Sequence, residues 1–500
     1  MEYKTQALSS PVPTSAAGFF AGLNDAGVRY GVFKSSRNML VALAGDQDLD
    51  ILVDRADYRR FCAIASECRG IRSVNHSSLT SPEREDWFIP DLGRGRFLHL
   101  DVHTSIRLGG KFNKRYRCGR YADIRHWDSV TFEGCPIPVV SAQDEAGITL
   151  SRVAFRADGE ESGAWQKLGG GWLPEIDELL FAGTDCGQKT VWYESDGLKV
   201  RYRVKKADNE IWVHRHDLSC IRRLVRIRSG SAVYTPVVDW IVNARRASHY
   251  AVSRAMNWLI PGATMDRRRP VSGGLVIAVV APDGMGKTTQ VERMARLFGW
   301  KFCCMRLYLG TGDGPGWWLR RVLRRQYIRR RAKIRAALLA DPDPRRNAIG
   351  LKSRAGSLLF SVWGVLVALE RYSRVKTARR VADRGFLVFC DRWPQSIQPG
   401  FMDGPTAHGP AEWPGLLRRW ELSFYDRMSC MQPDLTIHLV GDYAISQARK
   451  PAELSQEEFD KRIALMAEIR SRMPSVRVLD AGGQVDEVSR SLFGLIWNAL

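Results

Sequence analysis

Several things are missing from this chain, and each absence removes a class of protein. Its ten cysteines include no C-x-x-C pair and no regular spacing, which excludes a zinc ribbon and argues against a disulfide frame. Cys303 and Cys304 are adjacent, and Cys390 sits in the apolar run FLVFC, so reduced, mostly buried thiols in a cytoplasm are expected. The opening MEYKTQALSSPVPTS lacks a basic start followed by an apolar stretch and does not read as a signal peptide. A membrane span needs about 20 apolar residues. The nearest candidate, Ala355–Leu369, has 15 uncharged residues and reads as a buried helix. Internal repeats are absent. Acidic charge is in deficit, with 75 Lys and Arg against 54 Asp and Glu and a net charge of +21. The excess is uneven: residues 1–150 hold 19 basic and 18 acidic residues, so it lies in the middle and C-terminal regions. Such a balance favours anionic partners, whether nucleotides, nucleic acid, acidic lipids or phosphorylated glycans, and does not choose among them.

What remains is ordinary globular material. Five hundred residues, 45% apolar, are too many for one core and predict two or three domains. Over residues 1–140, helical signals at Ser15–Ala26 and Ala56–Glu67 alternate with strand signals at Val28–Phe33, Asp48–Val53 and Gly95–His103. That pattern describes a small α/β domain. Residues 141–265 read as a connecting domain of mixed helix and strand. In it, His214 and His216 are two apart and are expected on one side of a strand, a solvated face rather than a metal site. After a Pro/Gly- and Arg-rich linker, residues 273–500 alternate short apolar runs with helices. The runs are Leu275–Ala281, Lys301–Leu309, Phe386–Cys390, Leu435–Val440 and Val476–Asp480, which predicts a parallel sheet flanked by helices.

The first of these runs breaks into Ala281-Pro-Asp283-Gly284-Met285-Gly286-Lys287-Thr288-Thr289. With Ala281 for the first glycine, this is the phosphate-loop pattern G-x-x-x-x-G-K-[ST] between a strand and a helix. Backbone N–H groups of such a loop and the helix N-terminus point at phosphates. Lys287 is expected on the β/γ-phosphates of ATP, and the Thr288 hydroxyl on Mg²⁺.

Further pieces follow in order: Asp391-Arg392-Trp393 closing a buried strand, PDLTIHLV at Pro433–Val440, and VLDAGGQVDEV at Val478–Val488. Together with D-G-x-G-K-T-T they resemble the thymidylate kinase family over about residues 273–500. The resemblance implies ATP and Mg²⁺ as cofactors, with Asp391 holding the metal or orienting the acceptor. It implies that Arg392 binds the acceptor's anionic group and that Asp283 faces the acceptor. Gly284 stands where some members carry a loop arginine, so a lid must supply that charge. Arg449, Lys450, Lys461 and Arg462 are the candidates, with a solvated helix face as the alternative. One departure concerns the acceptor. The R-E-P-G run of the family is replaced by RLYLGTGDGPG at Arg306–Gly316, so the acceptor pocket is expected to differ.

Residues 316–335, GWWLRRVLRRQYIRRRAKIR, carry nine Lys/Arg on a basic amphipathic pattern. It can lie on an anionic membrane surface, cover an anionic acceptor, or pack on the sheet. Nucleic acid is not favoured, because aromatic interleaving is thin.

The near-neutral first third holds a second cluster. In GDQDLDILVD, Asp46, Asp48 and Asp50 recur at period two and are expected on one strand face, with Leu49, Ile51 and Val53 on the other. Asp101 in LHLDVH offers a further acid. Paired acids with one from a neighbouring strand suit Mg²⁺. The pattern Asp48-Leu-Asp50-Ile followed by Leu-Asp101-Val resembles the nucleotidyltransferase superfamily over about residues 15–140. Lys34-Ser35-Ser36 stands where that family usually has Gly-Ser. Otherwise these acids form a solvent-facing strand edge.

The expectation is therefore a cytoplasmic ATP-dependent phosphotransferase, possible at the inner face of a membrane, fused to a Mg-dependent nucleotidyltransferase-like domain. Its acceptor would be a nucleotide, small molecule or glycan. The rival is a nucleotide-binding regulatory or membrane-surface module with an inert first domain.

Overall fold

A computed structural model describes residues 15–34, 36–74, 83–109, 114–155, 161–168, 173–182, 184–195, 198–207, 210–227, 235–259, 267–310, 354–398, 402–405, 415–451, 454–472 and 475–500. The basic stretch 316–335 lies outside them. The chain divides into two compact units, Met1–Leu259 and Ile260–Leu500.

In the first unit, helix α1 (Ala16–Asp25) starts at Ser15, whose hydroxyl accepts from Gly18 N at 3.1 Å. Then follow β1 (Tyr30–Lys34), α2 (Met39–Leu43), β2 (Asp48–Val53), α3 (Tyr58–Glu67), β3 (Ile71–Val74), β4 (Arg84–Asp91), β5 (Arg96–His103), β6 (Ile106–Leu108), β7 (Tyr116–Gly119), β8 (Trp127–Phe132) and β9 (Cys135–Val140). The sheet runs β3-β4-β5-β2-β1-β9-β8, with β2/β5 and β1/β9 parallel. Strand β2 is thus interior, not an edge. Its Leu49, Ile51 and Val53 enter a core with Phe19, Phe20 and Phe61 of α1 and α3. Leu52, on the opposite face, packs in a second core with Phe33, Ile106 and residues 140–225. Residues 146–225 of the stretch expected as a connecting domain therefore contribute to that core. Strand β4 was not legible because Pro90 interrupts its run and usually marks an edge.

The elements that follow are α4 (Ala142–Ala154), β10 (Glu161–Ser162), β11 (Trp165–Lys167), α5 (Leu173–Phe181), β12 (Gly187–Ser195), β13 (Leu198–Ala207), β14 (Glu210–His214) and α6 (Arg215–Ile227), and α4, α5, β12, β13, β14 and α6 send residues into that second core. The antiparallel order is β10-β11-β14-β13-β12. Here His214 ends a strand while His216 lies in the following helix, which corrects the shared face expected of them. His214 Nδ1 lies 3.0 Å from Arg203 Nη2. The unit closes with the long helix α7 (Pro236–Leu259).

The second unit has a five-stranded parallel sheet flanked by helices. Its elements are β15 (Leu275–Val280), α8 (Lys287–Gly299), β16 (Cys304–Tyr308), α9 (Arg354–Ala382), β17 (Leu387–Asp391), α10 (Gly415–Ser429), β18 (Leu435–Val440), α11 (Tyr443–Arg449), α12 (Gln456–Arg472), β19 (Val476–Asp480) and α13 (Val485–Trp497). The order is β16-β17-β15-β18-β19, so the phosphate-loop strand is central. Alternate residues explain the continuous apolar run. Val276, Ala278 and Val280 pack with Ala368, Val375 and Ala378 of α9. On the other face, Phe298 of α8 meets Phe389 at 5.8 Å and Phe493 at 5.6 Å between ring centroids. No described helix is long and apolar enough to cross a membrane. All ten cysteines are free, and six are buried.

Candidate functional site

The central strand delivers the loop at the carboxyl end of the sheet, where open parallel sheets place ligands. Gly284 and Gly286 adopt φ of 86° and 79°, a left-handed backbone that glycine takes without strain. Gly286 caps α8 with no side-chain cap bond, so the first N–H groups of that helix face the loop's concavity. A cleft of about 610 Å³ lies there, lined by the loop from Asp283 to Thr289 and by Tyr308, Arg392, Arg449 and Lys450. Met285 also lines it while its side chain is buried.

Asp283 is the hub. Its Oδ1 accepts from Lys287 Nζ at 2.6 Å and from Arg392 Nη2 at 2.7 Å. Its Oδ2 accepts from Arg462 Nη1 at 2.7 Å. Burial alone would raise this carboxyl's pKa, but Lys287 and Arg392, with hydrogen bonds from Lys287 and Arg462, hold it well below the usual range. Lys287 is pulled downward, chiefly by burial and then by the Arg392 charge, against the attraction of Asp283.

Thr288 Oγ1 donates to Asp391 Oδ2 at 2.6 Å. Asp391 is 3% exposed, and its Oδ1 has no hydrogen-bond partner. An orphaned carboxylate oxygen beside a hydroxyl is the donor set that Mg²⁺ accepts, so the residues fit that ion. Arg392, next in the chain, has φ of 74°, a left-handed conformation costing a non-glycine residue on the order of 1 kcal/mol or more.

The proposed lid residues divide. Arg462 reaches Asp283, Arg449 donates to Ala481 O at 3.0 Å at the cleft wall, and Lys450 lines the cleft. Lys461 turns away to Glu457, at 2.6 Å on the surface.

Sequence reasoning missed Arg371. Buried in α9, it donates to Leu309 O at 2.9 Å, to Asp403 O at 2.8 Å and to Asp403 Oδ1 at 2.6 Å. Asp403 Oδ2 in turn accepts from Arg392 Nη1 at 3.4 Å. A charged pair, Glu370-Arg371, directly after the uncharged run of α9 was the available signal.

In the first unit, parallel pairing sets Asp50 opposite Asp101. Ligand atoms of Asp50, Asp101 and His103 lie within 4.8 Å of one another. Asp48 stands outside this group, with its Oδ1 3.0 Å from His99 Nδ1. Asp46 lies before the strand and pairs with Arg96 at 2.9 Å, so only two of the three acids share the strand face. Cations already neutralise the cluster. Lys34 pairs with Asp50, and Arg84 with Asp101, whose Oδ1 is also 3.0 Å from His103 Nε2. Burial would raise the Asp101 pKa, but Arg84 and His103 hold it well below the ordinary range. Lys114 is driven well down by burial and by Lys34 and Arg84. Asp50 and Asp101 offer two carboxylates beside an imidazole, but both are already paired, with an ammonium and a guanidinium, which a cation would have to displace. The histidines at period two with Asp101 in HLDVH were the overlooked signal.

No family model matches the chain. The uncharacterized ATP-binding protein YghS of Escherichia coli K12 is 27% identical over 235 residues, covering 45% of this chain and 93% of that protein. The uncharacterized ATP-binding protein YghR of the same strain is 26% identical over 219 residues, covering 43% and 83%. Among solved structures, thymidylate kinase from Candida albicans is 16% identical, with a TM-score of 0.27 over 45% of this chain and 91% of that one. Thymidylate kinase from Ehrlichia chaffeensis is 15% identical, with a TM-score of 0.25 over 45% and 98%.

Proposed function

We propose that the chain is an ATP-dependent phosphotransferase that acts on a nucleotide, small-molecule or glycan-type acceptor through the cleft of its second unit. One observation carries this reading. The Thr288–Asp391 pair, with its orphaned Oδ1, stands beside a phosphate loop that carries Lys287, in a cleft also lined by Arg392 and Arg449, with Arg462 on Asp283. A nucleotide-operated switch also uses a loop hydroxyl and an acid for Mg²⁺, so it is the arginines gathered at the cleft, Arg392 and Arg449 with Arg462 on Asp283, that favour transfer. The names of the two Escherichia coli relatives support ATP as the nucleotide.

In this reading the loop N–H groups and Lys287 bind the β- and γ-phosphates. Thr288 and Asp391 would hold Mg²⁺, which when bound would neutralise charge on the phosphates. Arg392 positions the acceptor's anionic group, fixed from behind by Asp403 and Arg371. Arg449 and Arg462 stabilise charge on the transferring phosphoryl oxygens. Asp283 keeps these cations together before nucleotide arrives and orients the acceptor afterwards.

For the first unit, the paired cluster around Asp50 and Asp101 favours the inert alternative to metal-dependent nucleotidyl transfer. Calorimetric titration with Mn²⁺ tests it. Wild-type binding that disappears in Asp50→Ala/Asp101→Ala would overturn it.

The test of phosphotransfer is movement of labelled γ-phosphate from ATP to a panel of nucleoside monophosphates, sugars and glycan extracts, with Lys287→Ala alongside. Transfer to one class by wild type alone is expected. ATP binding with no transfer across the panel would favour a nucleotide-operated switch.

A further inference from the structure

Helix α7 is turned inside out. In a helix of a water-soluble unit, the apolar stripe faces the core. Here the buried residues are Arg246 and Ser253, while Val237, Trp240, Ile241, Val252, Trp258 and Leu259 are 51–83% exposed. At about 100° per residue these six fall within one sector roughly 120° wide. Trp240 and Trp258 lie on the same meridian, about five turns and 27 Å apart. Exposed Arg245 and Arg254 flank the stripe, one on each edge. Asp239, the helix's one acid, sits on the opposite side, its Oδ2 4.0 Å from Arg115 Nη1.

We infer that the outward face of α7 docks in the interface of an anionic lipid bilayer, with the helix lying in the membrane plane. Charge selects this occupant. A stripe edged by arginines and free of acid would bring like charges close if a second copy covered it, whereas acidic headgroups complement it. A tryptophan at each end fits the headgroup boundary, where an amphipathic ring is favoured. The net charge of +21 draws the chain toward such a surface. The helix is not apolar enough to span, so it lies on the bilayer. The inference does not depend on which reaction the phosphate loop performs.

Flotation of the full chain with vesicles tests it. Vesicles of equal parts phosphatidylglycerol and phosphatidylcholine should carry wild type to the top of the gradient, and phosphatidylcholine alone should not. Trp240→Ser/Trp258→Ser and Arg245→Glu/Arg254→Glu should each lower the partition coefficient about tenfold or more. The changes are at exposed positions, and an unchanged melting temperature shows that the fold is kept. Wild type that stays at the bottom overturns the inference. So does flotation that both variants retain, which would place the lipid contact elsewhere. Reversible dimerisation lost in the tryptophan variant, without flotation, assigns the face to a second copy instead.

Discussion

Arg462 Nη1 donates to Asp283 Oδ2 at 2.7 Å, fastening a helix late in the chain to the aspartate that opens the phosphate loop. Lys287 and Arg392 share the other oxygen. On the function proposed above, a polyphosphate entering the cleft would compete with this carboxylate for the same cations.

Replacing Asp283 with Asn removes the counter-charge from a buried cationic cluster and should destabilise the protein by on the order of 3 kcal/mol. On the proposed function, bound ATP would supply the missing anion. The rise in melting temperature on adding ATP should therefore be larger in Asp283→Asn than in wild type, as read by differential scanning calorimetry. Equal shifts would mean that Asp283 does not hold the cations that ATP uses.

Asp391→Asn keeps the shape of the side chain but weakens the site for a cation. Turnover should fall by roughly 100-fold or more, while ATP affinity without metal stays within about threefold. Quench-flow for transfer and equilibrium binding with EDTA separate the two. Normal turnover in this variant would remove Asp391 from the reaction.

Arg371→Lys keeps the charge but loses the planar fork that joins Leu309, Asp403 and, through Asp403, Arg392. Acceptor KM should rise about tenfold, with the ATP constant unchanged. Equal effects on both substrates would indicate general unfolding instead of a positioning role.

His438 titrates in the opposite sense to a paired histidine. Burial, and then the charge of Arg470, push its pKa down from 6.5 to about 4. Its Nε2 has no hydrogen-bond partner, so nothing favours the imidazolium in the fold. The unfolded chain therefore takes up a proton first as acid is added. Stability should fall from pH 6.5 to about pH 4 and level off below, by at most roughly 3 kcal/mol. His438→Gln should flatten that slope by one proton in melting curves taken across the window. An unchanged slope would assign the acid sensitivity to other groups.

Much of this site is local in sequence and could be read there. A strand, two glycines, Lys287 and Thr288 occupy one continuous run, and the apolar strands announce a parallel sheet. Asp50 and Asp101 were legible because both alternate with apolar residues that must be buried. What could not be read depends on contacts between distant segments. Nothing near Lys34 shows that its ammonium ends on Asp50, or that His99 draws Asp48 aside. The Arg371–Asp403–Arg392 chain joins three segments whose proximity only the closed sheet creates. Nor does an amphipathic pattern say which side of a helix faces in. The pattern of α7 is ordinary, and its orientation is not.

Gly284 carries one more consequence. A Cβ built there would sit 2.8 Å from Ser446 O, and the Ser446 hydroxyl already donates to Asp283 O at 2.8 Å. Position 284 therefore has no room for any side chain while the helix after β18 keeps its place. Because part of that contact is with a backbone carbonyl, which every residue carries, no substitution at 446 alone would make room: a loop bearing an arginine at 284 would have to arrive together with a displaced helix.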